Sequence, residues 1–224
     1  MRVWLVSTLN DVSLRTTAGS IFDRNSGDAS VANVIARSID LDANGGAIGE
    51  LGDPSVATID NPFEIDSRYD LAQNNKLTMD IDDVALEAED DIVVTEVEDE
   101  LRLVLAHSYL GNVVLTVREG NSPTYDGEDL QLIQDGYARF AESNSVSPGF
   151  HDDAQRPLPH GLILAEQGFV ELRVGDDIAT HENSAIVAAE FIDIFGDYLD
   201  YDDTYGTEII LRGQLIAGAV MVTY

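Results

Sequence analysis

The chain has 224 residues with no cysteine, 42 acidic side chains against 12 basic ones, and a formal net charge of -30. Zero cysteines exclude disulfides, thiolate metal sites and cysteine nucleophiles, and so strong an acidic balance leaves no basic patch to meet phosphates, which argues against direct nucleic-acid binding. Hydrophobic residues at 44 % supply a core too large for an acidic disordered segment.

The basic set is eleven Arg and one Lys, Lys76, and the acidic set is dominated by Asp. At ordinary salt a folded surface of this charge repels itself. In molar salt the Debye length falls to about 3 Å and most of that repulsion is screened. The composition therefore reads as that of a folded protein working in concentrated salt, in a halophile or a virus of one. MRVWLVSTLND lacks the long apolar core and small-residue cleavage site of a signal peptide, and Leu215–Val222 is too short to span a bilayer. The expectation is a soluble chain made without an export signal.

Arg2–Val6 predicts a first strand, followed by a Gly-, Ser-, Asp- and Thr-rich loop over Thr16–Ser30. Val31–Asp42 fits two patterns. Val31, Val34, Ile35 and Ile39 form a helical face, while the β-branched content suits a strand, and the β-like neighbourhood favours the strand. Ala43–Asn74 reads as loop, with a short strand at Val56–Ile59. Leu77–Ile81, Asp91–Val97, Leu101–Ala106 and Val113–Val117 then follow in the short-strand rhythm of a sandwich or barrel.

Glu128–Glu142 predicts the one helix, since Leu130, Ile133, Tyr137 and Phe140 recur at helical spacing. A loop runs from Ser143 to Arg156. Beyond it, Leu162–Ala165 and Phe169–Val174 are separated by Glu166-Gln167-Gly168, short enough for a hairpin. In its second arm Val170, Leu172 and Val174 alternate with Phe169, Glu171 and Arg173, which marks opposite faces. The outward Phe169 is then a contact point for a neighbouring subunit. Ala185–Phe195 predicts one long strand, and Glu208–Arg212 with Leu215–Thr223 a second hairpin around Gly213-Gln214. No repeat of solenoid length stands out. These elements predict an all-β fold, a single jelly-roll domain over residues 1–224, with a loop and helix inserted at 122–156.

Few constellations invite chemistry. Asp40, Asp42 and Asn44 with Gly45 match the first half of a calcium loop, three oxygen side chains at alternate positions before a sharp turn. The second half fails, because the twelfth position is Leu51 and Glu50 falls one place early; a solvated acidic turn is the competing reading. Asp197, Asp200, Asp202 and Asp203, with Tyr198, Tyr201 and Tyr205, form a second oxygen-rich loop suited to a cation, a partner or plain hydration. Asp80, Asp82, Asp83, Asp90 and Asp91 read as hydrated acidic turns. His107, His151, His160 and His181 show no close metal spacing, and neither a nucleophile elbow nor a phosphate-binding loop is present. An enzyme is not expected, and no catalytic or cofactor-binding residue is assigned. Structural cations such as calcium, sodium or potassium at the acidic loops are the only cofactors the residues suggest.

RPLPHGLILAEQGFVELRVGDD, followed by SAIVAAEFIDIFGD and TEIILRGQLIAGAVMVTY, together with the acidic composition, resembles the single jelly-roll major capsid proteins of icosahedral, internal-membrane-containing haloarchaeal viruses, the sphaerolipovirus-like group, and in size the larger of their two. The resemblance covers the strand pattern of the last two-thirds of the chain and includes no catalytic motif. It implies a structural virion protein synthesised in the host cytoplasm. Such a protein packs with itself and a second major capsid protein into capsomers, beside vertex proteins and over a membrane. The alternative is a haloarchaeal surface β-sandwich that binds carbohydrate or calcium.

Overall fold

The computed structural model describes residues 1–24, 31–53, 55, 59–67, 83–98, 100–119, 128–132, 161–199 and 207–224. Twenty strands run through them: β1 Arg2–Val3, β2 Val6–Ser7, β3 Val12–Thr16, β4 Phe22–Asp23, β5 Val34–Ile35, β6 Ile39–Ala43, β7 Phe63–Asp66, β8 Asp83–Ala88, β9 Ile92–Glu96 and β10 Leu101–Ser108. The second half adds β11 Val113–Val117, β12 Leu130–Leu132, β13 Leu162–Ala165, β14 Val170–Val174, β15 Ile178–Thr180, β16 Ala185–Ala188, β17 Phe191–Phe195, β18 Ile209–Ile210, β19 Gln214–Ile216 and β20 Ala219–Thr223.

The chain is all-β, as expected, but its strands pair in parallel. Among the described residues every strand-to-strand ladder is parallel, and the one antiparallel contact is the isolated bridge Glu50–Asn61. An eight-stranded sheet runs β2-β5-β7-β9-β11-β14-β17-β20, and a ten-stranded sheet carries β3-β6-β8-β10 and then β13-β16-β19, with a branch through β12-β15-β18. β1 and β4 pair apart; from β2 to β19 each strand of the eight-stranded sheet is followed by one or two of the ten-stranded sheet, so successive circuits lay further rungs on both. This is a parallel β-solenoid.

That corrects the jelly-roll expectation, which needs antiparallel pairs. The two arms of the expected hairpin, β13 and β14, lie in different sheets: β13 pairs with β10 and β16, and β14 with β11 and β17. The expected single strand Ala185–Phe195 turns a corner at Ala189-Glu190. The C-terminal hairpin is three strands, none paired with another. The helix expected over Glu128–Glu142 begins instead as strand β12; its remaining residues, like the Leu77–Ile81 strand, lie outside the described residues. A repeat is present after all. One circuit advances 20 residues from Arg2 to Phe22, 21 from Ile92 to Val113 and 22 from Val170 to Ile192. Insertions stretch others to 44, from Ile48 to Ile92, and 57, from Val113 to Val170. Connections of such unequal length hide the period.

Alternation then builds the core. On the eight-stranded sheet Ile92, Val113, Val170 and Ile192 stack in one inward column and Val94, Leu115, Leu172 and Ile194 in the next, each at most 1 % exposed. On the ten-stranded sheet Leu14, Leu41, Leu86, Ala106, Ile163, Ile186 and Leu215 form the facing column. Stacked parallel strands sit about 4.8 Å apart, so like side chains nest on like.

The corners obey the same spacing. Gly111 and Gly168 stack where the chain turns back to the eight-stranded sheet; a Cβ on Gly168 would stand 2.5 Å from the Gly111 carbonyl oxygen, closer than any side chain tolerates. Beside them Asp91 Oδ1 accepts from the Asn112 backbone and amide N–H groups, both at 2.8 Å, and Asn112 Oδ1 accepts from the Phe169 N–H at 3.0 Å. Three successive circuits are thus tied by one polar ladder.

Candidate functional site

The solenoid sorts the acidic residues by column. Asp40 and Asp42 both lie on β6, alternating with inward Ile39, Leu41 and Ala43, so they point out from a straight strand. Asp40 accepts from the Ser13 hydroxyl at 2.9 Å, and Asp42 pairs with Arg15 at 3.1 Å, both partners one rung away on β3. Asn44, at the turn, donates to Asp42 at 3.3 Å. The geometry replaces the expected half-loop with rung-to-rung bridges. Among the described residues, no group of three or more His, Asp or Glu side chains is arranged to hold a metal ion.

The outward column that begins at Arg15 and Asp42 continues through Glu87 and His107, then turns apolar at Leu164, Val187 and Ile216. His107 Nε2 lies 2.9 Å from Glu166 Oε1, and its ring sits 3.9 Å from that of Tyr109. His181 lies on the corner after β15, where its carbonyl accepts from the Ser184 hydroxyl at 2.7 Å; the two are in different circuits. His151 and His160 are outside the described residues, as are Asp80, Asp82, Asp200, Asp202, Asp203, Tyr201 and Tyr205.

A further polar assembly sits on the outer face of the eight-stranded sheet. Val170, Leu172 and Val174 are fully buried inward, so Phe169, Glu171 and Arg173 face out as their alternation predicts. Arg173 donates to Glu171 at 2.5 Å and to Asp60 at 3.0 Å, and its guanidinium lies 5.9 Å from the centre of the Tyr198 ring. Burial works against the charge of Arg173, but Glu171 and Asp60 outweigh it and hold the proton more firmly than usual. Asp60 belongs to the connection before β7, which folds back on itself through Glu50–Asn61 and the Gly52 N–H to Asp60 bond at 2.8 Å. That connection reaches across β9 and β11 to β14. The sequence offered no signal for this pair, 113 residues apart. Phe169, the outward residue expected to meet a neighbouring subunit, stacks on Phe191 of the next rung, with ring centres 4.8 Å apart and planes within 4°.

A carboxyl inside the core was also missed. Glu96 shares the inward column of Val34, Ile65, Val117 and Val174 and is fully buried. Burial, with the nearby charge of Asp66, pushes it well above the ordinary carboxylate range, against the opposing hydrogen bonds from Ser67 and the Glu98 backbone. The Ser67 hydroxyl donates to it at 2.7 Å.

The two ends differ from everything between them. Six partly buried side chains pack against the main core: Val6 and Leu14 in the first circuit, and Ile209, Leu211, Leu215 and Ala217 in the last. Of fourteen exposed large hydrophobic residues among the described ones, nine lie at these ends: Met1, Trp4, Leu5 and Leu9, then Ile216, Val220, Met221, Val222 and Tyr224. No family model, curated protein or solved structure matches the chain.

Proposed function

We propose that this chain is a structural, assembling protein of a high-salt environment and not an enzyme. One observation carries the reading: among the described residues, several outward polar side chains are engaged in ties within the scaffold, most of them between different circuits. Asp40 with Ser13, Asp42 with Arg15, Asp91 with Asn112, and Arg173 with Glu171 and Asp60 are all bridges within the scaffold. A site for chemistry needs groups held ready for a substrate, whereas these groups hold the solenoid together. Solenoids also present long, regular surfaces on which binding and assembly are built.

An icosahedral virion shell, in which the chain packs with itself, a second capsid protein and vertex proteins over a membrane, is one such assembly. The jelly-roll resemblance that suggested it is not a feature of parallel coils, so the proposal rests on assembly in salt. Light scattering of the purified chain in molar KCl should report multimers that dissociate or unfold as salt is withdrawn. A monomer indifferent to salt overturns the proposal.

A further inference from the structure

We draw no further inference here: the strongest candidate, the apolar cluster of Ala85, Val104, Leu105, Leu162 and Ala185 on the outer face of the ten-stranded sheet, carries nothing because no described residue shows what covers it.

Discussion

Glu96 occupies a core column whose other members are Val34, Ile65, Val117 and Val174. An aliphatic side chain there contributes about 1.5–3 kcal/mol by burial; a carboxylate must instead be dehydrated, and burial therefore makes its proton harder to lose than usual. Its folded pKa is raised above the unfolded value of about 4.3, so the native state binds the extra proton. The contribution is fully present below the unfolded value and is lost as pH rises through the folded one. Glu96→Gln keeps an acceptor for Ser67 and removes the ionisation. It should raise the thermal midpoint above neutral pH by at least about 2 °C, the shift expected of roughly 1 kcal/mol at this size, and flatten its pH dependence between pH 5 and 9. Melting curves that coincide with the parent's across that range contradict this account. The even run of Val and Thr around Glu96 showed a strand; nothing in it showed that the sixth position of Asp91–Val97 turns inward.

At the scale of the element, the strands were legible and their partners were not. Period-two alternation fixes which side chains of Phe169–Val174 face in, and the structure bears that out. Alternation is silent on whether the next strand returns beside the first or crosses to another sheet, and a three-residue Gly-containing connection suits both. The crossing was decided by corners that tolerate no side chain. Gly49 is the sharpest case: its φ is 72°, and a Cβ there would stand 2.2 Å from the Val93 carbonyl oxygen and 3.0 Å from the Phe63 nitrogen. Gly49→Ala should therefore cost roughly 2–4 kcal/mol, read as a lower denaturant midpoint with an unchanged slope. A loss under about 0.5 kcal/mol would show that neighbouring rungs yield more readily than stacked β corners should. Asp40, Asp42 and Asn44 teach the same lesson. Their spacing suits a turn and a straight strand equally; Asp40 and Asp42 lie on a strand bridged to Ser13 and Arg15.

Across the whole molecule, the stacked carboxylates and the -30 net charge set the conditions under which the solenoid holds. Repulsion between circuits acts over a Debye length of about 10 Å at 0.1 M salt, which spans two rungs, and over about 3 Å at 1 M, less than one. Thermal stability should climb steadily with KCl between those concentrations, with circular dichroism as the readout; a midpoint independent of salt would mean that ladder contacts already neutralise the field. The sequence by itself determined the all-β character, the inward face of Phe169–Val174 and the strongly acidic balance of the chain, because composition and alternation act locally on each residue. Only the tertiary structure decided that these strands coil in parallel, that Asp60 reaches Arg173, and that Glu96 faces the core. Each depends on which residues meet across 20 to 57 intervening positions or more, and a connection's length and polarity do not say on which edge of which sheet the chain arrives.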